Sequence, residues 1–286
     1  MGSRAAEDLA AQWAARVRAN RDQVERHRQV PETSDFYAPV SNRFVVDPRR
    51  TDDLVLDALL RRARPEDTWL DIGAGAGRFA LPLALRVARV VAVDPSPAML
   101  RALGEAMETH HIRNIEAVER RWPPDGADAG YAPFAGDVAL IANVGYDVEP
   151  IGEFLDAMEA AASRACVAVM TDRAPASYAS PFWPIIHGEE RAELPALDDL
   201  LALLRARGGR PNIERIERPP RVLDSEAPLL DLLRHQLWIA AGSEADERLA
   251  KAVRRSVKRT SKGITLEADG GWIGIVDWAP LPGQAA

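Results

Sequence analysis

Apolar positions recur at helical spacing across residues 5–28, where Leu9, Trp13, Val17 and Val24 stand among charges, so the chain is expected to open with an amphipathic helix. Pro31 closes it. Residues 31–48 read as a loop holding Phe36, Tyr37 and Phe44, and a second helix is predicted over 52–62 with Thr51 as its cap and Pro65 beyond its end. From Thr68 the pattern switches to short apolar runs separated by helical stretches. Strands are predicted over 68–72, 90–93, 115–118, 137–142 and 165–171, with helices over 76–88, 97–109 and 151–163; Ser96 caps the second of these, with Pro97 at its first position. A Pro- and aromatic-rich loop (174–195) leads to a helix over 196–207 that ends at Gly208–Gly209, then to a strand over 212–218. A helical pair over 225–262 turns at Gly242 with Ser243 as a cap, and a strand over 271–278 follows.

Strands alternating with helices mean parallel pairing through right-handed crossovers. The expected fold class is α/β: a doubly wound, Rossmann-like, seven-stranded sheet, mostly parallel with an antiparallel last strand. Residues 1–65 would form a helical N-terminal lid, and 66–286 the sheet domain with a helical insertion at 225–262.

Composition narrows the class. The chain has 286 residues, 47% hydrophobic and 28% charged, which suits a large buried core and excludes disorder, collagen and small disulfide scaffolds. Lys+Arg 36 against Asp+Glu 43 leaves a net charge of -7, which disfavours a general nucleic-acid coat. Only Lys251, Lys258 and Lys262 are lysine; the other cations are arginine, a bias that reads as codon usage. The single Cys166 lies in an apolar run and makes neither an internal disulfide nor a thiolate cluster, and no metal is expected. No apolar run reaches membrane length, and Glu7, Asp8 and Arg16 stand where a signal peptide needs an apolar core, so a cytoplasmic protein without a membrane partner is expected.

The strongest chemical signal is LeuAspIleGlyAlaGlyAlaGlyArgPhe at 70–79. A strand that runs into Gly73, Ala74, Gly75 and Gly77 and then into a helix lets the backbone turn sharply and approach a ligand without obstruction by Cβ. Dinucleotide folds also place a glycine turn here, so the glycines alone do not choose the ligand. Two acids do. Asp71 ends the strand, where it would repel a pyrophosphate and attract a cationic head. Asp94, 23 residues on, ends the next strand, where a carboxylate can accept both hydroxyls of a ribose; the following Pro95 offers no donor to a phosphate. A nucleoside bearing a cation points to S-adenosylmethionine.

AspIleGlyAlaGlyAlaGlyArgPhe followed by ValAlaValAspProSerProAlaMetLeu resembles the class I S-adenosylmethionine-dependent methyltransferases, most of all their small-molecule branch. The resemblance is specific over about residues 68–144. It implies that Asp71 orders the loop and the methionine amine, that Gly73 and Gly75 make room for S-adenosyl-L-methionine, and that Asp94 takes the ribose hydroxyls. It also implies that Met99 packs near the adenine and that Asn143 and Val144 lie under the methionine portion. Members often carry an acid after the third strand for the adenine amine. This chain has GluArgArgTrpPro (119–123), leaving Glu119, or backbone groups with Trp122, for that role.

Methyl transfer from a sulfonium is an in-line displacement, which asks for alignment and dryness and needs neither a protein nucleophile nor a metal. AlaAsnValGlyTyr after the fourth strand is not an Asn-Pro-Pro-Tyr run, which argues against amino-purine or glutamine amide methylation, and Cys166 is not placed for attack on cytosine. Candidate acceptor groups are Tyr37, with Phe36, in a flap that the resemblance suggests, and Phe182, Trp183 and His187 after the fifth strand, with His187 a general base. His235 reads as structural. Lys251, Arg254, Arg255, Lys258, Arg259 and Lys262 would form a basic stripe on one helix, either a solvated face or a contact for RNA or for the acidic stretch 189–193. The expected function is methyl transfer to a small-molecule O, N or C acceptor. The alternatives are an RNA or protein methyltransferase using the basic helix 251–262, or a binding module without catalysis; a homodimer is left open.

Overall fold

The structure is a computed structural model that describes residues 2–31, 35, 44–124, 134–266 and 269–281. Helix α1 (Gly2–His27) is followed by α2 (Leu54–Arg62), whose cap is Asp53 rather than Thr51: its carboxylate accepts the N–H groups of Val55 and Leu56. Then come β1 (Thr68–Ile72), α3 (Ala80–Ala84), β2 (Arg89–Asp94), α4 (Pro97–His110) and β3 (Ile115–Glu119). The helix expected over 76–88 begins only at α3, because Gly77 has φ +84° and cannot be helical, and it ends at Ala84. The chain continues through β4 (Gly136–Ala142), α5 (Ile151–Ala161) and β5 (Ala162–Thr171), a 3-10 segment (Pro175–Phe182), α6 (Trp183–His187), α7 (Leu197–Ala206) and β6 (Asn212–Arg218).

The sheet order is β3-β2-β1-β4-β5-β9-β6, and β9 (Gly271–Trp278) runs antiparallel to both of its neighbours. This is the expected doubly wound, mostly parallel seven-stranded sheet. All of its parallel strands end on one edge, and the order reverses between β1 and β4, the place where such folds hold ligands.

The two faces of the sheet carry separate cores. Val90, Ala92, Leu140 and Ile275 face α2 and α3, whereas Ile72, Val93, Ile141 and Val276 face α5 and α7. Helix α1 packs on the outside of α7 and α5, with Trp13 and Val17 buried and the Trp13 indole N–H donating to the Val148 carbonyl at 3.0 Å.

The insertion differs from expectation. It holds α8 (Glu226–Leu237) and α9 (Glu244–Ser256), but helix stops at Ser256, and β7 (Val257–Thr260) with β8 (Gly263–Leu266) forms a hairpin. Val257 pairs with Leu266 and packs on the insertion core, while Gly263, at φ +134°, sits where an added Cβ would lie 2.3 Å from the Leu223 carbonyl oxygen. The basic stripe is thus divided: Lys251, Arg254 and Arg255 lie on α9, and Lys258, Arg259 and Lys262 on the hairpin.

Candidate functional site

The glycine loop is built almost wholly from its own backbone. Gly73, Gly75 and Gly77 all have positive φ, and the N–H groups of Gly73 and Ala74 both donate to the Val93 carbonyl, at 2.7 and 3.1 Å. A Cβ at Gly73 would lie 2.5 Å from Val144 Cγ2, so the loop after β4 presses directly on the loop after β1. At Gly75 the nearest atom to an added Cβ is Met99 Sδ at 3.9 Å, an open flank.

Asp94, at the end of β2, accepts the Gly75 N–H and the Ser96 N–H, each at 2.8 Å. Burial raises its pKa, and these two bonds only partly offset that. Asp71 is 2% exposed, and no cation pairs with it among the described residues. Burial first, and the charge of Asp94 second, push its carboxyl up to about 7. Two buried acids without a counter-ion form a site that a cation would relieve.

Donors at the start of α4 are already used. Met99 N–H bonds the Ser96 hydroxyl, Leu100 N–H bonds the Ser96 carbonyl, and Pro95 and Pro97 have no N–H. The remaining one, Ala98 N–H, is taken by Asp35 at 3.1 Å, and both carboxylate oxygens of Asp35 also lie 2.8 Å from the Ser96 hydroxyl. This helix N-terminus therefore offers nothing to a phosphate. Nothing in the sequence signalled Asp35, because it acts from a loop without periodic pattern.

The β2–β3 register sets exposed Glu119 beside Asp94. Trp122 is half-buried against α5, with its indole N–H 3.4 Å from the Phe154 carbonyl. Asn143 takes φ +57°, a conformation that asparagine tolerates, and its N–H donates to Val169. Tyr146, to which the sequence pattern assigns no role, is 4% exposed. Its hydroxyl accepts the Thr171 N–H at 2.7 Å and bonds Thr171 Oγ1 at 2.9 Å, so the loop after β4 is pinned to the end of β5.

The expected acceptor groups do not gather at this edge. Phe182 and Trp183 are 2% and 0% exposed and form part of the insertion core with Leu229, Leu233 and Leu249, so neither presents a face to a cleft. They face inward because the 3-10 segment and α6 are the floor on which α8 and α9 pack. His187 lies between the rings of Trp183 and His27, 4.3 and 4.7 Å away, with Nε2 3.1 Å from the Leu237 carbonyl. Burial lowers its pKa, and the neutral ring donates Nε2–H to that carbonyl, which leaves Nε2 unable to take a substrate proton. Tyr37, with Phe36, lies outside the described residues. Among the described residues no cluster of His, Cys, Asp and Glu could hold a metal ion.

Fold and site define a Rossmann-like protein whose two buried acids suit a cationic ligand rather than a phosphorylated one. Ribosomal RNA small subunit methyltransferase A of Anaeromyxobacter sp. (strain K) is 30% identical over 236 residues, which span 76% of this chain and 78% of that protein. The chain belongs to the class I S-adenosylmethionine-dependent methyltransferases, the family the sequence resembled. The model of a methyltransferase domain matches residues 70–139, from the middle of β1 to the middle of β4.

A 23S rRNA (uracil(1939)-C(5))-methyltransferase of Klebsiella pneumoniae subsp. pneumoniae is 29% identical over 154 residues; these cover 45% of this chain but only 36% of that protein, about a third of its length. Among solved structures, a Bacillus halodurans C-125 protein superposes with a TM-score of 0.55 at 12% identity, covering 79% of this chain and 99% of its own. At that identity the likeness is one of fold.

Proposed function

We propose that this chain transfers the methyl group of S-adenosylmethionine to an acceptor brought to the sheet edge beyond β4 and β5. The observation that carries this reading is the pair of buried acids, Asp71 and Asp94, around a glycine loop whose N–H groups at Gly73, Ala74, Gly75 and Gly77 are bonded within the fold. When bound, the cofactor would supply an electrophilic methyl on a positively charged sulfur. Asp71 would balance the positive charge of the bound cofactor, Asp94 would hold the ribose and the loop together, and Val144 with the Tyr146–Thr171 link would fix the wall along which the acceptor approaches. The acids and the loop geometry fit this group without any metal.

A small molecule with an oxygen, nitrogen or carbon nucleophile is one reading of the acceptor. An RNA acceptor is favoured by two observations. Phe182 and Trp183, expected to grip a small acceptor, are buried and His187 is committed to the Leu237 carbonyl, and both relatives described above are by name ribosomal RNA methyltransferases. The test is calorimetry with S-adenosylmethionine and its demethylated product, followed by methyl-labelled cofactor supplied to a metabolite extract and to total RNA. Absence of binding sinks the cofactor reading. Label in metabolites alone sinks the RNA reading, and label nowhere favours a module without catalysis.

A further inference from the structure

We infer that the outer face of α9 and the β7–β8 hairpin is the surface on which this protein docks RNA; the inference deepens the RNA reading of the acceptor and rests on it. Residues 248–262 hold seven cations, Arg248, Lys251, Arg254, Arg255, Lys258, Arg259 and Lys262, and no acid, in a chain whose net charge is -7. All three lysines of the protein fall within these residues. A codon bias toward arginine does not explain why every exception lies on one patch. Lysine is a hydrated, flexible point charge suited to phosphate on an open surface.

The patch is open. Lys251, Arg254, Arg255, Lys258, Arg259 and Lys262 are exposed, and Arg259 reaches Glu226 of α8 at 2.5 Å. The macrodipole of α9, with Glu244, Asp246 and Glu247 in its first turn, accounts for Arg254 and Arg255 in its last. It does not account for the hairpin cations, which lie beyond the helix. Nor does the patch suit a membrane, since the apolar side of α9, Leu249 and Val253, is buried in the insertion core and leaves only charge outside.

Its place also fits. Leu223 bridges to Ile264 in the hairpin, and Asp269, fully buried, binds Arg218 at the end of β6 at 2.8 Å, so the hairpin stands on the same sheet edge as the glycine loop. Strand β6 is four positions from β1 in the sheet order. At about 4.8 Å per strand that is roughly 19 Å, within one turn of a duplex, about 34 Å.

The experiment measures anisotropy of a short fluorescein-labelled RNA hairpin across a salt series, alongside calorimetry with the demethylated cofactor product. Two variants are compared with the parent, a reversal (Lys251→Glu, Arg254→Glu, Arg255→Glu) and a milder hairpin pair (Lys258→Ala, Lys262→Ala). RNA affinity should fall at least about 30-fold in the reversal and several-fold in the pair, with a shallower salt slope, while cofactor affinity stays within about twofold. RNA binding that is absent in the parent, that survives the reversal, or that is weaker than binding to phosphatidylserine vesicles overturns the inference while leaving cofactor binding untouched. Loss of cofactor binding in the parent is the separate failure of the methyltransferase reading.

Discussion

The glycine-loop side and the surroundings of α1 are built by different means. At β1, β2 and β4 the cofactor side is made from neighbours in sequence: glycine dihedrals, backbone N–H groups and two acids at strand ends. Around α1, which packs on α7 and α5, segments far apart in the chain are joined by polar side chains. Arg18 and Arg21 of α1 pair with Glu149 after β4, Gln23 bonds the backbone of Glu190 and Ala192, and His27 meets Glu189 at 2.5 Å. The cofactor is the constant of the family, so its site can be fixed by short, rigid, buried parts. Around α1 the ion pairs of Arg18, Arg21 and His27 are exposed contacts that can adjust, while the Gln23 side chain is buried.

Breaking the rigid half should therefore have the largest effects. Asp94→Ala removes the acceptor of two backbone bonds at 2.8 Å and the expected ribose anchor, so cofactor affinity should fall by about 100-fold or more. A calorimetric loss below tenfold would mean that the cofactor lies elsewhere. Gly73→Ala should cost about 1–3 kcal/mol in urea unfolding, because the new methyl needs φ +74° and meets Val144 Cγ2 at 2.5 Å. Adding Val144→Ala should recover the steric part of that loss but not the backbone part. A double variant no more stable than Gly73→Ala would show that the two loops do not press on each other.

The same contrast explains what could be read from the chain in advance. Asp71, the three loop glycines and Asp94 are legible because strand ends, positive φ and buried charge leave marks at fixed spacing. The alternation of strands with helices likewise marked the parallel part of the sheet. Phe182 and Trp183 misled because an aromatic loop after a strand looks the same whether its rings face a ligand or another helix. The neighbours that decide it, Leu229 and Leu249, lie far onward in the chain, in α8 and α9. Extending the basic helix to residue 262 failed for a local reason: the i, i+3, i+4 spacing of cations runs on across Val257, while the chain itself turns into a strand that pairs with Leu266. Asp35 and the Tyr146–Thr171 link depend wholly on which loops meet in three dimensions.

A pH series sharpens the comparison with a smaller effect. The Asp71 carboxyl is held near 7 by burial and by Asp94, well above its value of 3.8 in an unfolded chain. The folded protein thus holds an extra proton between these values, and the stability this contributes fades as pH rises toward 7. Binding a cation reverses the preference, since the ionised acid is then favoured. Affinity for S-adenosylmethionine should rise by up to about tenfold between pH 6 and pH 8. Asp71→Asn should flatten the profile, and an equal slope in that variant would assign the proton to another group.

The smallest effect is expected from the adjustable half. His27→Ala removes the contact with Glu189, itself 42% exposed, and one ring from the stack on His187. Exposure keeps the pair in high dielectric, and Arg26 still faces the same carboxylate at 3.4 Å. Urea unfolding should lose under about 1 kcal/mol, and cofactor affinity should stay as it is, because no residue of the glycine loop touches this clamp. If the loss instead exceeds about 2 kcal/mol, the clamp between α1 and the 189–194 segment is a rigid part of the fold. The division between a rigid glycine-loop side and an adjustable clamp around α1 would then have to be redrawn with α1 on the rigid side.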